Sequence, residues 1–429
     1  MPTQSAGNYR SVESSAPTCT ARPQSGMSRW WRNGGVSSLC VGLFVTAGVY
    51  KATPVLQDLP DLTIIFGALT LIACLHSFPR HGSNLRFASF GPICVLFGLM
   101  FPTVPLADTS RGMEQWSQFF TLTLLATAAP LFLIRLNDRW VEYLFWYLTV
   151  LGSYFSLLVL TNPDSVSITG RYVVLSTNTI QTGRVIGAGI IWLFILTFRR
   201  RVPLLVVLAF GAPMTYALVG AGSRGPLLAT VISITFALQL GMRRSRTARK
   251  GLAKRLGLFL GLVLLLYLGY ISAPSSSRDR IFEVGDSGGD RLIAWRVTLD
   301  GIINHPLGVG WGNWQQFADK AAPGELTGLD HPHNVVLLVL IEGGWLAGAG
   351  LIWFLAHCFR SALRNAATPT GQSVFAIFIY FLINSLVSDN LNDARLTLTM
   401  CGIVLAREAL KEANPTYGRE IANSRDPGG

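Results

Sequence analysis

The sequence predicts an all-α polytopic membrane protein of about twelve transmembrane helices, and three observations carry that prediction. Half of the 429 residues are hydrophobic, only 14% are charged, and the mean hydropathy is +0.42. A soluble domain of this length has no interior large enough for so many apolar side chains. The apolar residues fall into runs of about 20, the length at which a helix crosses a bilayer core. The charges are also sorted by side. With the N-terminus placed inside, the inner segments carry 24 Lys/Arg against 7 Asp/Glu, the outer segments 11 against 15, and Glu342 lies within a span. This is the positive-inside rule. It accounts for the formal charge of +12 without a polyanion-binding surface, so nucleic acid is not an expected partner.

Taken in order, residues 1–33 are polar and Ser-rich and hold no compact apolar stretch. They read as a disordered cytoplasmic tail rather than a signal peptide. Nine spans follow within 34–273, near 35–54, 61–78, 85–103, 116–134, 140–161, 184–198, 202–220, 224–241 and 256–273. The run 184–198 is short and reads as a broken or tilted helix. The basic bands Arg199-Arg200-Arg201 and Arg243 to Arg255 fall on the inner side. Residues 274–332 form a long periplasmic loop, 333–410 hold three more spans near 334–357, 372–388 and 394–409, and 411–429 form a second cytoplasmic tail. Both termini are therefore expected inside. The six cysteines show no paired spacing that suggests a disulfide or a zinc site, and no internal repeat stands out.

Most connections are short, but the outer segments 162–183 and 274–332 exceed the usual loop length. Within the second, a helix is expected from Asp290, whose carboxylate can cap the first turn. Leu292, Trp295, Leu299, Ile302 and Ile303 then form one apolar stripe at helical spacing, suited to the membrane surface or to packing on the bundle. Pro306 ends the helix. Gly308, Gly310 and Gly312 follow in a tight turn interleaved with Trp311 and Trp314.

Four outer arginines fit an anion site. Arg184 is read at the start of a span, Arg224 follows Ser223 at the start of another, and Arg291 and Arg296 lie on the amphipathic helix. Helix N-termini favour anions, and guanidinium binds phosphate oxygens through paired hydrogen bonds. Interfacial snorkelling, or an Arg296–Asp300 pair, is the structural alternative.

His331 and His333 flank Pro332 where the loop meets a span. A His-x-His pair can bind zinc, but no third ligand stands at a familiar spacing; a histidine satisfied at the membrane interface is the structural alternative. A neutral imidazole at a helix N-terminus can serve as a general base, and His333 is preferred because Asn334 begins the helix. Asp389 and Asp393, spaced i,i+4, either bind a cation or solvate their turn; solvation is favoured. Glu342 either pairs with a neighbouring helix or orients a catalytic group; the first is favoured. No Asp-x-Asp occurs.

At these residues the chain resembles the O-antigen ligase and polymerase superfamily of bacterial envelope glycan assembly. The matching pieces are Ser223-Arg224-Gly225, Asp290-Arg291 with Trp295, Pro306-Leu307-Gly308-Val309-Gly310 through Phe317, His331-x-His333-Asn334 and Glu342-x-Gly344. They cover roughly 178–350. Ligases of the family carry Gly, Thr or Tyr where this chain has Ala347. The resemblance implies a GT-C-like glycosyltransferase without cofactor or metal, acting at the periplasmic face of the bacterial inner membrane. It implies transfer of a glycan from undecaprenyl diphosphate to a hydroxyl of the lipid A core in lipopolysaccharide biosynthesis. In that role His333 is the catalytic base, and Arg184, Arg224 and Arg291 hold the diphosphate, with Arg296 and His331 in support, while Trp311 and Trp314 stack on sugar rings or anchor the loop at the interface. The protein is expected to work among membrane lipids as a monomer or weak oligomer. Polymerisation of carrier-linked repeats, oligosaccharide transfer to protein and lipid or glycan transport are the alternatives.

Overall fold

The computed structural model describes residues 34–51, 61–81, 87–134, 139–161, 178–242, 248–273, 275–282, 286–326 and 328–413. Among them the secondary structure is helical throughout, with no strand. The expected N-terminal tail, residues 243–247 of the second basic band and most of the segment 162–183 lie outside the described residues.

The helices are α1 Gly35–Val45, α2 Ala47–Lys51, α3 Leu62–His81, α4 Gly91–Met100, α5 Ser110–Gln118, α6 Leu124–Leu133, α7 Arg139–Thr161, α8 Thr179–Phe198 and α9 Leu204–Gly220. They continue as α10 Arg224–Met242, α11 Ala248–Ser272, α12 Ser275–Phe282, α13 Asp286–Asn304, α14 Trp314–Ala321, α15 Val335–Asn365, α16 Pro369–Ser388 and α17 Arg395–Ala413. A π turn at Phe119–Thr123 joins α5 to α6, giving one rod, Ser110–Leu133. Among the described residues, five helical units are long and apolar enough to cross a membrane: that rod, α7, α8, α15 and α16. Six shorter apolar stretches stand beside them. This is the make-up of a polytopic membrane protein.

The segment 184–198 differs most from its sequence reading. It is neither broken nor short. Asn178 accepts a hydrogen bond from the Ile180 N–H and starts α8 at Thr179, so the polar residues Gln181 and Thr182 are helical. α8 is also the most enclosed of the five long helices, packed against α7, α9, α10 and α16. Arg184 consequently sits in the second turn, inside the bundle, and not at a helix start.

In the long loop, α13 begins at Asp286, a turn before the expected cap at Asp290. Its apolar residues divide between two faces. Ala294, Thr298 and Ile302 are buried, while Leu292, Leu299 and Ile303 are exposed. The single predicted stripe therefore packs on the bundle along one edge and leaves the other uncovered.

The glycine-rich turn after α13 explains the motif Pro306 to Gly310 together with Glu342-x-Gly344. α15 breaks at Gly344, where φ 76 and ψ −175 belong to a region that is essentially glycine-only. The broken helix leaves backbone groups to be satisfied, and the turn satisfies them. Val309 N–H donates to the Ile341 carbonyl at 2.8 Å, Gly310 N–H to Glu342 at 3.1 Å, and Trp345 N–H to Pro306 at 2.9 Å. A Cβ at Gly344 would meet the Leu307 carbonyl carbon at 2.5 Å, and one at Gly308 would meet the Glu342 carbonyl oxygen at 2.4 Å. Gly344→Ala is therefore expected to cost at least about 1–3 kcal/mol, read as earlier thermal unfolding of the purified protein. An unchanged transition removes this account of the motif.

Candidate functional site

The loop Asp330 to Asn334 is fixed from several directions. Asn334 caps α15, its side chain accepting from the N–H groups of Val336 at 3.0 Å and Leu337 at 3.1 Å. The Trp295 indole N–H donates to the Pro332 carbonyl at 2.8 Å, so α13 holds the proline between the two histidines. Arg111 of α5 donates to the Asp330 carbonyl at 3.2 Å and to Gln315 of α14 at 3.0 Å. The result is a left-handed backbone at His333, with φ 53. That conformation is uncommon outside glycine and concentrates at functional positions.

The side chains of this loop form a short polar chain. Arg111 approaches the Asp330 carboxylate at 3.4 Å, and Asp330 Oδ1 lies 2.5 Å from His331 Nδ1. The rings of His331 and His333 meet edge to face, with centroids 4.3 Å apart. His331 Nε2 and His333 Nδ1 are both buried without a hydrogen-bond partner. With the first nitrogen of His331 tied to a carboxylate, its second is left to a further hydrogen bond.

The arginine-bearing and histidine-bearing elements converge on one place, the C-terminal end of α16. Arg184 of α8 donates to the Ser388 carbonyl at 3.2 Å and forms an ion pair with Asp389. Tyr380 of α16 holds the backbone below it, its hydroxyl lying 3.1 Å from the Gly183 carbonyl and 3.0 Å from that of Arg184. Arg291 of α13 reaches the Val387 carbonyl at 3.4 Å. Arg224 starts α10, and a Cβ on its neighbour Gly225 would stand 3.0 Å from Ser388 Oγ and 3.2 Å from Val387 Cγ2. The Ser388 carbonyl also faces His333. Residues separated by more than 200 positions thus share one three-residue backbone strip.

The electrostatics follow from burial and from like charges. Burial, reinforced by His331 and Arg291, brings the His333 pKa down to about 4, against the opposing pull of Asp330 and the Ser388 carbonyl. The imidazole is neutral at physiological pH. The hydrogen bond from His331 outweighs burial at Asp330 and brings its pKa to about 2. Arg291 is pushed below the usual guanidinium value by burial and then by the charge on Arg224. The Arg291 guanidinium, disfavoured by the charge on Arg224 and lying beside a neutral imidazole, gains from a bound anion.

Several side chains stand apart from their sequence reading. Asp389 does not solvate its turn. It is buried, bonded by Ser385 Oγ at 2.5 Å as well as paired with Arg184. Asp393 is half-buried and accepts from Gln181 at 3.3 Å. Trp311 and Trp314 are fully enclosed, their indole N–H groups donating to Thr103 at 3.0 Å and Thr298 at 2.8 Å, so neither ring face is open to a sugar. Glu342 accepts from the Trp314 N–H at 3.1 Å and ties the start of α14 to α15. Arg296 is exposed on α13. Among the described residues no group of three His, Cys, Asp or Glu is placed to hold a metal ion.

Arg111 and Tyr380 are residues of this candidate site that the sequence reading does not single out. Asp330 has a visible signal, since it precedes His331 directly. Arg111 has none, because 219 positions separate it from the residue it holds.

No curated protein matches the chain. A family model described as O-antigen ligase matches residues 209–352, which include Arg224, Arg291, His331, His333 and Glu342. Ala347, the departure from the ligase pattern, is buried, and a Cβ on Gly343 would lie 2.8 Å from its methyl. That position is one of helix packing. Over residues 209–352 the chain is thus similar to the O-antigen ligase family.

Proposed function

We propose that the protein is an O-antigen ligase, an inverting and metal-independent glycosyltransferase. It moves a finished glycan from undecaprenyl diphosphate to a hydroxyl of the lipid A core, at the periplasmic face of the bacterial inner membrane. His333 takes the proton from the acceptor hydroxyl as its oxygen attacks the anomeric carbon. The bond from that carbon to the phosphate oxygen breaks, and undecaprenyl diphosphate leaves with the electron pair. Arg224 and Arg291 neutralise the charge that grows on the leaving group, the task a metal ion performs in other transferases. Arg184 completes this set when the diphosphate competes with Asp389 for its fork. Asp330 and His331 lie behind His333 as its polar support. The carrier's polyprenyl chain stays in the membrane, where a helical bundle of this composition belongs.

One observation supports this reading above the rest. A half-buried, neutral imidazole with an unpartnered nitrogen stands against Arg291, whose charge Arg224 disfavours, at one end of an apolar bundle. A transporter would be expected to carry its charges at mid-membrane.

The test is reconstitution in liposomes with lipid-linked glycan and a lipid A core acceptor. Glycan appearing on the core supports the ligase. Glycan lengthening on its carrier makes the protein a polymerase, and movement without a new bond makes it a transporter. Arg224→Ala and Arg291→Ala are each expected to lower kcat/KM for the donor by about 10- to 100-fold, the worth of a charge-assisted hydrogen bond to phosphate. Unchanged kinetics in both would return these arginines to a lipid-headgroup role.

A further inference from the structure

Arg184 has a second side. Its Nη2 faces Asp389 and Ser388, its Nε is buried without a partner, and the residue lines a cavity of about 270 Å³. That cavity lies between the α1–α2 turn and the starts of α3, α8 and α17. His331, His333, Arg224 and Arg291 are not among its walls. Its polar lining includes Arg184, Arg395, Asp61, Asp393, Gln181 and Asn392. Arg395 Nε and Asn392 Oδ1 are likewise buried with nothing to bond.

The composition selects the ligand. Two guanidiniums stand against two carboxylates, so neither an anion nor a cation alone leaves the wall compensated. Carboxylates accept only, guanidiniums donate only, and the amides do both. A ligand satisfying such a wall must donate and accept from neighbouring atoms, which is what the hydroxyls of a sugar ring do. The volume is at the small end for ligand pockets, about one ring and not a chain.

We propose that this cavity is a saccharide subsite holding one neutral sugar ring of the glycan substrates. Arg184 is then the partition between it and the diphosphate side. Assigning the sugar to donor or acceptor rests on the ligase reading above; the binding itself does not.

Isothermal titration calorimetry on the full-length protein in detergent tests it, with two soluble probes. One is the delipidated core oligosaccharide and the other is the free glycan repeat unit. Two variants alter the cavity without touching the proposed catalytic groups. Asn392→Leu removes an unpartnered acceptor. Gly48→Val fills the space from α2, where an added Cβ meets only the Gln181 amide, 3.6 Å away. Binding of either probe to the wild type, weakened about tenfold or more in both variants, supports the subsite. The probe that binds says whether the sugar belongs to acceptor or donor. No heat with either probe, or equal affinity in both variants, overturns it. Saccharide binding in a protein that transfers nothing would remove the ligase reading and leave the subsite standing.

Discussion

His333→Ala removes glycan transfer by about 10²- to 10⁴-fold, the range that a positioned general base contributes, and leaves the fold near wild type. The ring makes few bonds, and the loop is held by Asn334, Trp295 and Arg111 instead. Since the backbone at 333 has φ 53, His333→Asn is the better control. Asn tolerates the left-handed region and supplies no base. Retained turnover in both variants would take the base role from His333. The pH profile gives a second, independent reading. In the free protein the imidazole titrates near 4, so the acidic limb of kcat/KM for transfer is expected near pH 4 and not near the ordinary 6.5. Binding of a diphosphate adds negative charge beside the ring and offsets the guanidinium of Arg291 that depresses it. The limb of kcat, which reports the complex, is therefore expected at higher pH than that of kcat/KM. For stability the direction is the same. Between about 6.5 and 4 the unfolded chain binds a proton that the folded protein does not. The contribution is complete above 6.5 and is lost as the pH falls towards 4. A kcat/KM limb at 6.5 would mean that the ring is solvated, and the burial argument would fail.

The residues that are legible in the sequence are those whose function follows from local pattern. The His331-x-His333-Asn334 segment announces a loop meeting a helix, and Asn334 is its cap. Ser223 announces the start of α10 at Arg224. Glu342-x-Gly344 and the glycine turn announce each other only through family resemblance. Their physical link is a set of backbone bonds across a break in α15, which forms only in the folded chain. Arg184 is misplaced by the sequence because hydropathy discards the polar residues Thr179, Gln181 and Thr182 that begin α8, although Asn178 is available as a cap. Asp389 is misread for a different reason. An acid in a short turn is solvated by default, and nothing in its neighbourhood of the sequence reveals an arginine arriving from about 200 positions away. Long-range pairing is the part of such a site that one-dimensional pattern cannot carry.

Asp389→Ala is expected to cost about 3–5 kcal/mol, because it strands the Arg184 guanidinium in the bundle without a counter-charge. Side-chain exposures of 4% for Arg184 and 3% for Asp389 leave little water to compensate. Arg184→Ala strands Asp389 and costs a comparable amount. The double variant loses less than the sum, since removing both charges leaves nothing uncompensated, and the shortfall measures their coupling. Additive losses would mean that the pair is not coupled in the membrane. The same cycle separates a structural lock from a substrate contact. In Asp389→Asn the guanidinium loses its competitor while an amide remains for the Ser385 hydroxyl. If Arg184 is recruited by the diphosphate, this variant binds donor more tightly although it unfolds more easily. If Arg184 only braces α8 against α16, stability and donor affinity fall together, and the leaving group is held by Arg224 and Arg291 alone.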